Sequence, residues 1–323
     1  MGIDVTEQPR IGTIFRTILL VVLVIILPAV NWSLFGWLQM FLPLTAFVLP
    51  SRFGAFAGGR MLLTAAVLAL VVYAVLRSLD MYLFSSTLLF SGYVLFLSAQ
   101  RRNSPSLSGL KGCLAMAAAW LVMMTVFSFG AELSSYGRLL QALDEGLAAT
   151  GQYYRESESV TTDSLVVLES TILQLRAIVP VILPSMLGFV ILALVWFTMV
   201  VGNLLLLRTG GNAPWPDYRY WQLPEKLVWL LIFAAGMILI PEPLVRSVGI
   251  NLVILLSVVY CFQGLAITIY FMNKWKVPIL FRSFFYVMIV FQSLGTLALL
   301  ILGIAENWFD FRKLKSAKEE QNQ

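Results

Sequence analysis

Apolar side chains fall in long charge-free blocks at 17–51, 61–76, 81–100, 112–131, 177–207, 227–241, 247–273 and 283–305. A hydrocarbon core about 30 Å thick takes roughly 20 helical residues to cross at 1.5 Å rise each, so most of these blocks are long enough to span. The first holds two passes, 12–30 and 33–50, with Asn31, Trp32 and Ser33 as the break. Further spans are expected at 61–76, 79–98, 112–131, 177–207, 227–241, 247–273 and 278–304. The predicted fold is therefore all-α: a polytopic transmembrane bundle of 8–9 spans, with 227–241 the weakest of them. The run at 177–207 would make a helix about 45 Å long, so it tilts, kinks near Pro180 and Pro184, or projects beyond the lipid.

One stretch breaks the pattern. Residues 132–176 carry seven acidic and three basic side chains, and Tyr136, Leu139, Leu140, Leu143 and Leu147 recur at helical spacing. A second helix is expected to begin near Thr162, Asp163 and Ser164 and to carry Leu165, Leu168, Ile172 and Leu175 on one face. The chain thus divides into a five-span bundle at 1–131, an extramembrane pair of amphipathic helices at 132–176, a second bundle at 177–305 and a basic tail at 306–323. A second polar interruption, 210–224, is dense in Trp and Tyr and fits an aromatic belt at the membrane interface.

Composition agrees with lipid as the main solvent. Of 323 residues 59% are hydrophobic and 12% charged, against about 25% charged in an average soluble protein. The net charge of +5 matters less than its placement. With a cytoplasmic start, most Lys and Arg gather on one side, from Arg10 and Arg16 through Arg52, Arg60, Arg101 and Arg102 to Lys274, Lys276 and Arg282. The apolar run after Arg10 and Arg16 reads as a first span rather than a cleaved signal peptide. The tail with Arg312, Lys313, Lys315 and Lys318 obeys the same rule only if one segment fails to cross, leaving eight crossings.

Candidate chemistry is sparse. The chain has no histidine, which removes the usual general base and commonest metal ligand. Cys113 and Cys261 read as packed thiols. No phosphate loop, metal-ligand cluster or nucleophile elbow is present, so no enzyme activity, cofactor, metal or nucleic-acid partner is expected. What remains are polar groups inside spans, where they are expensive and often functional. The amides Asn203, Asn251, Gln263 and Gln292 are candidates either for contact with a small solute or for holding the bundle together. Arg77 and Asp80 read as an ion pair at the membrane edge.

Several stretches resemble the YybS-like family of bacterial membrane proteins, domain of unknown function 2232. They are 221–229 with Trp221 and Pro224, the Gln263–Gly264 pair, 41–44 followed by 52–54, and the closing stretch 303–313 with Gly303, Glu306, Trp308, Asp310 and Arg312. An aspartate is usual in the family where this chain carries Glu306. The resemblance implies a multi-pass protein of the bacterial cytoplasmic (inner) membrane with no assigned activity. It also implies a distant likeness to the substrate-binding subunits of energy-coupling-factor transporters, hence a small-solute pocket and separate energising subunits. The small residues on which such subunits dock lie here on the third span (Ala65, Ala69) and the fifth (Ala115, Ala119), not the first. A scaffold that binds a protein partner through 132–176 and the aromatic loop 214–221 is the alternative. In either reading Trp308, Phe309 and Phe311 are expected to anchor the last span at the interface, with Arg312 and Lys313 reaching lipid phosphates and Asp310 capping the helix or pairing with Arg312.

Overall fold

A computed structural model describes residues 11–129, 132–156 and 162–314. The N-terminal residues through Arg10 and the tail lysines Lys315 and Lys318 lie outside the described residues.

Lipid offers no partner for backbone N–H and C=O groups, so every spanning segment satisfies its own ladder as a helix. In chain order the helices are α1 (Ile11–Val30), α2 (Trp32–Phe35), α3 (Phe41–Phe53), α4 (Ala55–Val75), α5 (Leu79–Gln100) and α6 (Pro105–Ser128). They are followed by α7 (Ser135–Glu156), α8 (Thr162–Arg208), α9 (Leu227–Ile238), α10 (Pro243–Lys274), α11 (Ile279–Phe291) and α12 (Ser293–Phe309). Among the described residues seven spans are long and apolar enough to cross, α2 and α3 counting together, and α11 with α12 makes an eighth if that bent pair is one span. At 12 residues, α9 is about 18 Å long, too short for a full crossing. The all-helical polytopic bundle is thus as the apolar blocks predict, with 227–241 the segment that falls short.

Two boundaries carry physical detail. The expected break at Asn31 is an N-cap: its side chain accepts from the Leu34 N–H at 3.1 Å. Gly54, at φ +86°, turns the chain between α3 and α4 in a conformation that side chains with a Cβ rarely adopt. Arg77 and Asp80 do not pair: no ion pair joins them among the described residues.

The largest departure is α8. The second amphipathic helix and the long span are one continuous helix of 47 residues, about 70 Å against a core of about 30 Å. The charged face of 162–176 disguised this continuity, because polar residues on an apolar run read as a boundary. The inserted pair is therefore α7 together with the first four turns of α8.

Contacts group the chain into two units that cut across the chain-order segments drawn from the sequence. One comprises Met1–Trp120, Val190–Val228 and Ser257–Gln323; the other comprises Leu121–Phe189 and Trp229–Leu256. In the first, α3 packs on α5 and α4, and α1 packs on α4. Its interior polar groups bond one another: Tyr73 donates to the Ile25 carbonyl at 2.7 Å, Gln39 to Ser85 at 3.0 Å and Ser98 to Ser108 at 3.0 Å. Many large apolar side chains on these helices remain exposed, Leu20, Leu63 and Val71 among them, as lipid-facing surfaces require.

In the second unit α7 folds back along the start of α8. Arg155 meets Glu169 at 2.9 Å, Arg176 meets Asp144 at 2.7 Å, and the buried Gly151 lies against Ile172. The base is tied to α6: Arg138 donates to the Phe127 carbonyl at 2.7 Å, and the Ser135 N–H donates to the Ser128 hydroxyl at 2.8 Å.

Candidate functional site

The family-like residues gather where α12 ends. A Cβ built on Gly264 would lie 2.0 Å from the Leu299 carbonyl oxygen, and one on Gly303 would lie 2.0 Å from that of Tyr260. Only glycine at both positions lets α10 and α12 approach so closely, the geometry that small residues give to packed membrane helices. Gln263 is buried beside this crossing.

One turn beyond Gly303, Glu306 and Arg312 form a buried ion pair. Arg312 Nε lies 2.8 Å from Glu306 Oε1, with the side chains 0% and 4% exposed. The other carboxylate oxygen accepts from the Phe311 N–H at 3.0 Å. Arg312 also donates to the Arg219 carbonyl and, at 3.0 Å, to the Trp221 carbonyl. A buried guanidinium needs its donors filled as well as its charge matched, and the loop carbonyls do the filling. The expectation that Arg312 reaches lipid phosphates is therefore corrected: its charge is spent internally, on a loop some ninety residues earlier.

Asp310 makes this reversal possible. At φ +39° it takes the left-handed conformation at the C-cap of α12, and its Oδ1 accepts from the Leu314 N–H at 3.1 Å. It caps; it is Glu306, not Asp310, that holds Arg312. Trp308 and Phe309 are 64% and 71% exposed, the surface an interfacial anchor needs.

The loop gripped by Arg312 is held from three other sides. Asn203 brackets Trp215, donating to its carbonyl at 3.0 Å and accepting from its N–H at 3.2 Å. The Trp215 indole donates to the Asn103 carbonyl at 3.2 Å and stacks on Phe47 at 5.2 Å. Ser106 donates to the Gln222 carbonyl at 2.6 Å. Trp221 packs edge-on to Tyr218 at 5.2 Å, and the Pro224 carbonyl accepts from the Leu227 N–H to start α9. Trp215 and Tyr218 are buried, and burial pushes the Tyr218 phenol upward from its ordinary pKa. These two rings are packed inside the protein rather than along a membrane interface, where the aromatic belt was expected to put them.

Asn251 serves a different repair. Pro184 has no N–H for the Pro180 carbonyl, which instead accepts from the Tyr136 hydroxyl at 3.2 Å. One residue on, Asn251 of α10 inserts into the same turn. Its Oδ1 accepts from the Ser185 N–H and its Nδ2 donates to the Val181 carbonyl, both at 2.7 Å. That donor and acceptor are the pair an unbroken ladder would join.

Gln292 stands apart from the other amides. It lies between α11 and α12, where the span bends by 100°. There it lines a crevice of about 330 Å³ with Thr268, Phe285, Met288, Ala298 and Leu302. The broken ladder is patched locally, the Thr296 hydroxyl donating to the Ile289 carbonyl at 3.3 Å.

The sequence pointed to the individual polar residues but not to their pairing. Asn103 and Ser106, which hold the aromatic loop, were missed, because surface-type residues in a basic turn carry no signal of a partner more than a hundred positions away.

No curated protein and no solved structure matches the chain. Residues 16–306 match the sequence model of a family described as "Predicted membrane protein (DUF2232)". A match over most of its length means that this chain belongs to that family of membrane proteins, domain of unknown function 2232.

Proposed function

We propose that the protein is a non-catalytic, multi-pass scaffold of the bacterial cytoplasmic membrane that holds a protein partner through the α7–α8 hairpin. The observation that carries this reading is the outer face of α8. At 47 residues α8 is longer than a bilayer accommodates, and Val166 and Leu173 in its first turns, one heptad apart, are 64% and 65% exposed. Their opposite neighbours Leu165, Leu168 and Ile172 are half-buried on the side where α7 pairs with α8. An exposed apolar line on the side away from the helix partner is the kind of surface that marks a protein contact.

The polar residues favour the same reading. Asn203 and Asn251 have internal tasks, one holding a loop and the other mending a helix. A solute pocket of transporter type needs amides converging on one cavity. Of the four amides only Gln292 is among the residues lining the crevice.

A photo-crosslinker at residue 166 or 173 in living cells tests the proposal. We expect one discrete adduct, carried by both positions and absent when Val166→Asp and Leu173→Asp are combined with a crosslinker at 170. Adducts to lipid alone, or none, overturn it. The transport reading gains if deleting 135–170 leaves the cellular phenotype intact while Gln292→Ala removes it.

A further inference from the structure

The crevice at the bend has features that the scaffold reading does not use. Its lining is almost wholly apolar: Phe285, Met288 and Ile289 come from α11, and Leu294, Ala298 and Leu302 from α12. At about 330 Å³ it sits at the small end of the roughly 300–1,000 Å³ typical of ligand pockets. An apolar wedge of this size beside lipid is filled by an alkyl chain more readily than by a polar solute, since it offers few groups to replace the solute's water.

The chain just before α11 supplies the other half of a site. Lys274, Lys276 and Arg282 fall within nine positions, and among the described residues no carboxylate pairs with any of them. Arg282 is fixed in place nonetheless. It donates to the Val277 carbonyl at 2.7 Å, the Asn273 side-chain oxygen at 2.8 Å and the Met272 carbonyl at 3.2 Å. All three acceptors are neutral, so they orient the guanidinium without cancelling its charge. Phe285, a crevice residue, follows Arg282 by three positions on α11, on the same helix face. Thr268, another, precedes Lys274 on α10 by six positions, about 9 Å of helix.

We propose that this crevice binds one acyl chain of an anionic phospholipid, whose headgroup is held by Lys274, Lys276 and Arg282. The lipid fills the space opened where α11 turns away from α12, and its phosphate supplies a counter-charge to three cations that no described carboxylate pairs. The site is independent of the hairpin.

The test is native mass spectrometry of the full-length protein released from nanodiscs of equal phosphatidylglycerol and phosphatidylcholine. The wild type is expected to retain one phospholipid, predominantly phosphatidylglycerol. Ala298→Phe, which places a ring in the crevice, is expected to lose it. Leu294→Trp obstructs the same space from a position 75% exposed, so it reports on occupancy even if the first variant fails to fold. Lys274→Gln with Lys276→Gln is expected to keep one lipid but lose the preference for phosphatidylglycerol. A wild type that retains no lipid, or a lipid retained undiminished in the folded crevice variant, overturns the proposal. Equal retention of the two lipids by the wild type overturns the headgroup assignment.

Discussion

Two of the places where carboxylate and guanidinium meet among the described residues have nearly the same distance and opposite conditions. At the end of α12, Glu306 and Arg312 are 2.8 Å apart and almost sealed from solvent. On the α7–α8 hairpin, Arg155–Glu169 and Arg176–Asp144 are 2.9 and 2.7 Å apart, with side chains between 41% and 62% exposed. Geometry alone does not separate them. What differs is the fate of the group left behind when a partner is lost. On the hairpin, water takes over; beneath the aromatic loop, a bare charge and two carbonyls remain in a dry interior. The closing pair is therefore a fixed joint, while the hairpin pairs are adjustable stays between two exposed helices.

The sharpest way to break this comparison is Arg312→Ala. Removing one member of a buried pair typically costs about 3–5 kcal/mol, so thermal unfolding in detergent should drop steeply and the 215–221 loop should become open to protease. Replacing both, as Glu306→Leu with Arg312→Met, should recover much of the loss in the same assay, because no charge is stranded. Next in size is Gly264→Ala. A methyl 2.0 Å from the Leu299 carbonyl forces α10 and α12 apart, at about 1–3 kcal/mol for an overpacked contact. A cysteine pair across the crossing should then crosslink more slowly.

Asn251→Leu follows. It leaves the Ser185 N–H and Val181 carbonyl without their partner, and unmet buried groups cost about 1–3 kcal/mol. Hydrogen exchange should rise locally around 181–185 and not at the α12 end. The smallest effect is expected from Arg155→Ala, about 0–1 kcal/mol for an exposed pair and smaller still in high salt. A loss there equal to that of Arg312→Ala would end the distinction between the two regions.

Hydropathy made the span pattern legible because lipid imposes helices, and a minimum length, on any apolar run. It also marked α9 as the segment too short to cross. It did not foresee α8 as one helix, since Glu169 and Arg176 look like a boundary in composition although the backbone passes through them without interruption. The closing motif was visible as residues and misread as chemistry. An arginine just past a span ordinarily snorkels to phosphate, and nothing local announces that its acceptors are carbonyls at 219 and 221. Asn251 was readable as a polar group in lipid. Its task depends on a proline in another helix, a relation that exists only after folding.

The clamp also has a place in time. A chain is made from its N-terminus, so the carbonyls of Arg219 and Trp221 leave the ribosome 93 and 91 residues before the guanidinium that holds them. Until then, a nascent chain can have inserted nearly every span while its aromatic loop still lacks the Arg312 grip. Arrival of Arg312 is thus a completion signal written into the fold. A chain stopped only a few residues short of it would look fully inserted to the membrane and unfinished to a protease.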